Sequence, residues 1–204
     1  MIVEMRQYQL KPRSVPAVEE LIGQGMAVRS KYSKLGGLWH TEVGTLNSVV
    51  HIWPYDSMAH REKVRAELAN EKGWPPKTLE YVVEMKVDFL TAAPFSPPIE
   101  PRELGALYEI RTYTYRAGTI PEVIKRWSEK IEPRIKLSPL VGAWFSETGT
   151  LSRWVHIWAY RDFAHRESVR QDAVKQGIWP PSTAEFLIKQ ENMLVAPASF
   201  SPLH

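Results

Sequence analysis

Val49-Val50-His51-Ile52-Trp53-Pro54-Tyr55 begins a stretch that continues into Ala59-His60-Arg61-Glu62. The pattern returns as Trp154-Val155-His156-Ile157-Trp158-Ala159-Tyr160, followed by Ala164-His165-Arg166-Glu167. His156 therefore follows His51 by 156 − 51 = 105 positions. A pattern that returns at a fixed offset indicates a repeated structural unit, so we expect both stretches to fold alike.

The same offset holds along the whole chain, and the two copies align without a gap. It carries Glu4, Arg6 and Tyr8 onto Glu109, Arg111 and Tyr113, Gly37 and Trp39 onto Gly142 and Trp144, and Phe95-Ser96-Pro97 onto Phe200-Ser201-Pro202. We therefore predict a first repeat at residues 1–98, a linker at residues 99–105 and a second repeat at residues 106–204. We call these repeats copy one and copy two.

Composition restricts the class of protein. The 204 residues are 44% hydrophobic and 24% charged, which is typical of a globular protein. The absence of cysteine excludes disulfides, thiolate nucleophiles and cysteine-based zinc sites. The net charge of +3 is spread over interspersed residues, so we expect no nucleic-acid partner. No signal peptide or membrane-spanning apolar run is visible, and we expect a cytoplasmic protein without a membrane partner.

Each copy has the pattern of a βαββαβ unit. In copy one, alternating β-branched and aromatic residues predict strands at residues 2–10, 38–43, 49–54 and 82–90. Apolar residues at helical spacing follow the first strand, and Ser57 is a good N-cap for a second helix. The equivalent positions of copy two repeat this order, which is that of a ferredoxin-like fold.

A ferredoxin-like unit covers only one face of its sheet with helices. We therefore predict an α+β fold in which two tandem ferredoxin-like repeats pack their antiparallel sheets face to face, as in a dimeric-type α+β barrel. Because charges are hard to satisfy beneath helices, we expect Glu4, Arg6, Tyr8, His51 and Trp53 to line the space enclosed between the sheets. The first and third strands are neighbours in this topology, so these five residues should lie together.

Several of these segments together resemble a known family. They are Tyr108-Glu109-Ile110-Arg111-Thr112-Tyr113, Val155-His156-Ile157-Trp158, Ala59-His60-Arg61 and the closing run from Gln190-Glu191-Asn192-Met193-Leu194 to Ser199-Phe200-Ser201-Pro202-Leu203. In this order, and in both copies, they resemble the NIPSNAP family over essentially the whole chain. That family is similar in fold to the dimeric α+β barrel superfamily, which includes cofactor-free monooxygenases, muconolactone isomerases and haem-containing chlorite dismutases. The resemblance implies a two-sheet barrel with a central cavity but no single reaction.

The Glu4-Arg6-Tyr8 pattern has two interpretations. Residues at i, i+2 and i+4 of a strand share a face, so these side chains can contact one another. They form either a structural ion pair, because a buried charge needs a partner, or an anion-binding arginine held by a glutamate beside a tyrosine donor. We expect Arg6 and Arg111 to be largely buried against Glu4 and Glu109.

Histidine supplies the other candidate chemistry. His51 is the candidate general base or proton shuttle, with Arg6 and Tyr8 beside it, although a neutral core histidine fits equally. His60-Arg61-Glu62 either binds an anion at a helix start or ties the helix to the sheet. No clustered histidines or carboxylates have the spacing of a metal site, so we predict neither a metal nor a cofactor.

Two functional hypotheses follow. The first is a small-molecule-binding barrel with cofactor-free oxygenase or isomerase-type chemistry, and the second is a non-catalytic interaction module whose outer helices recruit partners. For the first we predict His51, Tyr8 and Arg6 as catalytic residues. The predicted ligand-binding set is Glu4, Arg6, Tyr8, Trp39, His51, Trp53, Glu109, Arg111, Tyr113, Trp144, His156 and Trp158. The aromatic lining suits a flat organic ligand, neutral or anionic, and a homo-oligomer is compatible with the sequence.

The copies differ next to the shared residues, which predicts unequal half-sites. His40 stands opposite Phe145 and Val49 opposite Trp154 in the repeat. Because the half-sites are unequal, we expect one functional site per chain. We place it in copy one, where His40 and His51 both lie in the hairpin and Val49 leaves more room than Trp154.

Overall fold

The structure, a computed structural model, describes all residues from 1 to 204. Copy one contains β1 Ile2–Leu10, α1 Val15–Arg29, β2 Gly37–Val43, β3 Ser48–Tyr55, α2 Met58–Leu68 and β4 Val82–Ala92. Copy two contains β5 Leu107–Tyr115, α3 Ile120–Ser128, α4 Ile131–Ile135, β6 Leu140–Ser146, β7 Arg153–Tyr160, α5 Phe163–Lys175, a 3₁₀ turn Ala184–Phe186 and β8 Leu187–Pro197. The predicted βαββαβ order is confirmed in both copies.

The eight strands form one closed antiparallel barrel. Its order is β1-β3-β2-β8-β5-β7-β6-β4, so each copy contributes four adjacent strands in the same internal order. The copies meet where β2 pairs with β8 and where β4 pairs with β6. These junctions are equivalent under the repeat, which gives the barrel its internal twofold relation. The predicted α+β barrel is confirmed, and its two sheets are also joined edge to edge.

The barrel interior is an apolar core. Fifteen buried side chains contributed mainly by the eight strands form one cluster there. Trp39 and Trp144 are its largest members, and both are fully buried. A Cβ atom on Gly37 would collide with the Trp39 ring, and one on Gly142 would collide with the Trp144 ring. The glycine two residues before each tryptophan therefore leaves the space that the indole fills.

The helices pack on the outer face of the barrel, and the shared polar residues lie on that face. Glu4 pairs with Trp53 across the sheet, and Arg6 pairs with His51, which confirms that they are neighbours. Trp53 belongs to the cluster that packs beneath α1 and α2. The prediction that Glu4, Arg6, Tyr8, His51 and Trp53 line the space between the sheets is therefore wrong.

Charge pairing explains why these side chains face the helices instead of the barrel interior. Arg61 of α2 reaches down from the helix layer to the Glu4 carboxylate, whereas an apolar cluster lies on the opposite face of the sheet. A buried carboxylate is stable only beside a partner, and the helix layer supplies that partner. Glu109 of copy two likewise faces the helix layer, where Arg166 of α5 contacts it.

The first helices of the copies differ in length. α1 continues to Arg29, whereas its counterpart ends at Ser128 and resumes as α4. Pro133 in α4 has no N–H to donate to the carbonyl of residue 129, and its ring crowds that carbonyl, so the helix is interrupted there. None of the helices combines the length and apolar composition needed to cross a membrane.

The segments that end the two copies are exchanged. Phe95 of copy one stacks on Trp127 of copy two, with ring centroids 6.3 Å apart. Phe200 of copy two lies against α1 of copy one, where its ring would be 3.1 Å from a Cβ on Gly23. Ser96 accepts a hydrogen bond from the Ala143 N–H at 3.0 Å, as Ser201 accepts one from Leu38. Phe95 and Phe200 therefore anchor equivalent segments, each on a helix of the other copy.

Candidate functional site

A large cavity lies outside the barrel, in copy one. It has a volume of about 670 Å³ and is enclosed by the outer face of β1 and β3, the helices α1 and α2, and the segment from Trp74 to Glu80. We call it the larger pocket. Copy two has an equivalent smaller pocket of about 350 Å³. Both cavities lie between the sheet and the helices, whereas the resemblance implied a cavity in the barrel centre, where an apolar cluster lies instead.

Glu4 is the most completely paired group in the larger pocket. Its carboxylate accepts hydrogen bonds from Arg6 Nη1 and Arg61 Nε, each at 2.5 Å, and its side chain is 2% exposed. Burial raises the pKa of Glu4, but the hydrogen bonds from Arg61 and Arg6 outweigh it and leave the pKa below its usual value. Glu4 is therefore an ionised structural residue that joins β1 to α2.

Arg6 connects that ion pair to Tyr8. Its Nε donates to the Tyr8 hydroxyl at 2.7 Å, and Arg6 remains only 18% exposed. In copy two, Arg111 is 20% exposed and lies 3.4 Å from Glu109. The prediction that both arginines are buried against glutamates is confirmed. Tyr8 also packs edge-on against His51, with ring centroids 5.0 Å apart.

His51 is held in one neutral form. The Trp53 indole N–H donates to His51 Nδ1 at 2.7 Å. Because an indole nitrogen can only donate, Nδ1 must accept, and the imidazole proton resides on Nε2. Burial first and the charge of Arg6 second lower the pKa of His51 to about 3. At neutral pH this side chain is a hydrogen-bond donor, so its Nε2 cannot serve as the predicted general base.

Arg29 is a pocket residue that the sequence analysis missed. It is 4% exposed, its guanidinium lies 4.1 Å above the Trp53 ring, and its Nη2 donates to the Tyr55 hydroxyl at 2.7 Å. A signal was available, because Arg134 follows it by 134 − 29 = 105 positions. Arg65 of α2 also lines the pocket and has the same relation to Arg170.

The smaller pocket has less space but keeps the same polar framework, which is the paired glutamate together with the histidine, tryptophan and arginine equivalent to His51, Trp53 and Arg29. His156 accepts from the Trp158 indole at 2.7 Å, and Arg134 lies 4.0 Å above the Trp158 ring. However, Trp127 occupies the position that Ile22 has in copy one, and its ring centroid is 4.7 Å from that of His156. Trp127 lines the smaller pocket and His156 does not. The predicted asymmetry is present, but Trp127 covers the histidine, rather than Trp154.

The remaining predicted residues divide between structure and pocket. Trp39 and Trp144 point into the barrel core, on the opposite sheet face from the pockets. His40 shares the outer face with His51 but is bound to Glu19 at 2.8 Å and does not line the pocket. The other residues of the predicted ligand-binding set line the larger or the smaller pocket, with His156 excepted.

The helix-start residues have a structural role. Arg61 reaches Glu4, while His60 Nδ1 accepts from the Asp56 N–H at 3.3 Å beside the N-cap Ser57. This agrees with the interpretation that the segment ties helix to sheet. No three histidine, aspartate or glutamate side chains converge in a way that could hold a metal ion.

Comparisons with known proteins agree with the repeat and the fold. A family model described as NIPSNAP matches residues 3–97 and again residues 108–202. Protein NipSnap homolog 3B of Homo sapiens is 31% identical over 98% of this chain and 85% of its own length. A NipSnap homolog of Dictyostelium discoideum is 26% identical over 94% of this chain and 84% of its length. The crystal structure of a putative monooxygenase from Fusobacterium nucleatum superposes with a TM-score of 0.72 and 8% identity, covering 97% of this chain and 92% of that one, a likeness of fold alone.

Proposed function

The chain belongs to the NIPSNAP family, and within it we propose that this protein binds a small organic molecule in the larger pocket of copy one. The observation that carries the proposal is a cavity of about 670 Å³ lined by two residues that each have a buried polar atom without a protein partner. These atoms are His51 Nε2 and Arg29 Nη1. A cavity of this volume lies within the range of ligand pockets in proteins.

The two unpartnered atoms are costly unless a ligand or water completes them. Leaving a buried donor unsatisfied costs about 1–3 kcal/mol, and more for a charged group. His51 is 5% exposed and Arg29 is 4% exposed, so bulk solvent reaches neither side chain freely. A bound molecule with acceptor atoms at this depth would recover that free energy on binding.

The walls favour a flat molecule with a negative charge. Trp53, Trp74 and Ile22 supply apolar and aromatic surface around the polar groups. The charged residues that line the pocket are the four cations Arg6, Arg29, Arg65 and Lys77 and the two anions Glu4 and Glu80. Because Glu4 is already paired with Arg6 and Arg61, the charge left to meet a ligand is positive.

The chemistry we propose is of the cofactor-free oxygenase or isomerase type. Arg6, Tyr8 and His51 all line the larger pocket. The Tyr8 hydroxyl accepts from Arg6, which leaves its own proton available to a ligand. In this proposal Tyr8 donates a proton or hydrogen bond, Arg6 orients it, and His51 acts as a neutral donor in place of the general base expected earlier.

The exposed part of strand β4 favours a second candidate function, a non-catalytic interaction module. Val83, Met85 and Val87 share one face and are 66%, 49% and 37% exposed. Apolar side chains in such a row often mark a contact surface for another protein, including a second copy of the chain. This function would need no occupant in the larger pocket.

A thermal-shift screen with metabolites tests the proposal. A compound that binds only the native state raises the melting temperature. The matched control is Ile22→Trp, which introduces into copy one the side chain that fills copy two. We expect flat organic acids to raise the melting temperature of the unaltered protein but not of Ile22→Trp. Compounds that stabilise both proteins equally, or none that stabilise either, would refute the larger pocket as the site.

A further inference from the structure

The Trp53 side chain contacts two donor residues, His51 and Arg29, that both line the larger pocket. Its indole N–H fixes His51 Nδ1 as an acceptor, and its ring carries the Arg29 guanidinium at 4.1 Å. His51 Nε2 and Arg29 Nη1 are the atoms left without protein partners. Both side chains are more than nine-tenths buried and both line the cavity.

His51 Nε2 and Arg29 Nη1 can donate a hydrogen bond but cannot accept one. The His51 proton is fixed on Nε2 because Nδ1 is occupied, and a guanidinium has no acceptor atom. Arg29 is oriented by a second contact, since its Nη2 donates to the Tyr55 hydroxyl at 2.7 Å. A ligand group that satisfies both must therefore be an acceptor, and an oxygen that carries negative charge forms the strongest such bonds.

We propose that His51 Nε2 and Arg29 Nη1 form an oxyanion seat, so that the ligand of the larger pocket is a flat, largely apolar organic anion with a carboxylate or an ionised phenol or enol oxygen. The inference rests on the proposed function of that pocket and names its ligand class. Oriented donors in a buried site stabilise negative charge more than water does, because they need no reorganisation.

The surrounding charges agree with this seat. Arg6 lies on the neighbouring strand and contributes positive charge near His51, while Arg65 lines the pocket from α2. Two anions line the pocket: the Glu4 carboxylate is occupied by Arg6 and Arg61, and Glu80 is exposed. The low pKa of His51 keeps its imidazole neutral, so the positive charge at the seat comes from Arg29.

Copy two supplies the control within the same molecule. His156 and Arg134 have the same relation to Trp158, but Trp127 covers the histidine. The substitutions His51→Phe and His156→Phe therefore remove the same internal hydrogen bond, and only the first removes a donor from the larger pocket. Arg29→Met and Arg134→Met form a second matched pair.

Four probes test the seat by calorimetry: a naphthoate and its primary amide, and a nitrophenol and its methyl ether. We expect each anion to bind at least about tenfold more tightly than its neutral partner, because each lost bond to a charged group weakens binding by about this factor or more. His51→Phe and Arg29→Met should each remove about tenfold of that preference, whereas the copy-two variants should leave it unchanged. The bound nitrophenol should also ionise at lower pH, read from the visible absorbance of its phenolate.

The outcomes separate the two proposals. Preference for the naphthoate alone identifies a carboxylate seat, and preference for the nitrophenolate alone identifies a seat for an ionised enol or phenol. Neutral partners that bind as tightly as the anions overturn the seat while leaving the pocket as a binding site. If none of the four probes binds and the metabolite screen is also empty, the pocket proposal fails and the seat fails with it. Unfolding curves check that each variant is folded, and Arg29→Lys, which keeps the charge but loses the two-pronged geometry, replaces any variant that is not.

Discussion

The two halves of the barrel share one polar framework and differ in whether a ligand can reach it. Glu4 and Glu109 are both paired with arginines, and His51 and His156 both accept from a tryptophan indole at 2.7 Å. The cavity above this framework is about 670 Å³ in copy one and about 350 Å³ in copy two. The framework alone therefore serves the fold, and the space above it distinguishes a candidate site from a core.

The largest loss of stability should come from removing the glutamate of either ion pair. Comparing the two losses tests whether the ion pairs are equally structural in both halves. Glu4→Gln and Glu109→Gln each remove a carboxylate and leave buried arginines unpaired, which should cost about 3–5 kcal/mol in the free energy of unfolding. Denaturant unfolding measures the loss. Glu84→Gln is the control, because Glu84 is 58% exposed and its loss should change stability by less than about 0.5 kcal/mol. A large loss in only one half would show that the framework is not equally structural in both.

Exchanging Ile22 and Trp127 between the copies should change which pocket can bind a ligand. Trp127→Ile removes the side chain that covers His156 and should cost about 2–4 kcal/mol, because a large buried ring is replaced by a smaller group. It should also create a second ligand site, detected as a higher stoichiometry in calorimetry, while Ile22→Trp closes the existing one. Unchanged stoichiometry in both variants would show that this position does not control access.

Acid should destabilise both halves through their buried histidines. The pKa of His51 falls from 6.5 to about 3 on folding, so between these values the unfolded chain binds a proton that the native chain does not. The contribution of each such histidine to the free energy of unfolding is fully present above about pH 6.5. It falls as the pH drops towards 3, by up to about 1.4 kcal/mol per pH unit. His156 has a lowered pKa for the same first reason, burial.

Unfolding free energies measured between pH 6.5 and 5 test this loss. The His51→Phe variant should show a shallower decline than the unaltered protein, because only His156 then contributes. Equal slopes would contradict the neutral state assigned to His51. His40, whose pKa is raised by its hydrogen bond to Glu19, acts in the opposite direction but is present in both proteins.

The smallest expected effect tests the exchanged segments. Phe95→Leu should lose the stack on Trp127, worth about 0.5–1.5 kcal/mol, and should increase amide hydrogen exchange in α3 of copy two. Phe200→Leu should instead increase exchange in α1 of copy one. If amide hydrogen exchange increased only in the copy that carries the substitution, the end segments would not pack on the opposite copy.

The architecture could be predicted from the sequence because it depends on local patterns. Strand alternation, helix starts such as Ser57 and the constant offset of 105 residues all act over short distances or are read by direct comparison. The face of β1 was mispredicted because it depends on a partner that is distant in sequence, as Arg61 lies 57 positions from Glu4. The pocket was misplaced for the same reason. Arg29 was missed although the offset to Arg134 marks it, and the break at Pro133 was missed although proline predicts it.

The exchanged ends also determine when copy one can be completed during synthesis. The Leu38 N–H bonds to Ser201, 163 positions later, and β2 obtains its outer neighbour only from residues 194–197 of β8. The half of the barrel that leaves the ribosome first therefore keeps an open strand edge until the other half has emerged. Open edges pair with other chains, so a nascent chain stalled before residue 194 should be prone to aggregate although copy one is fully translated.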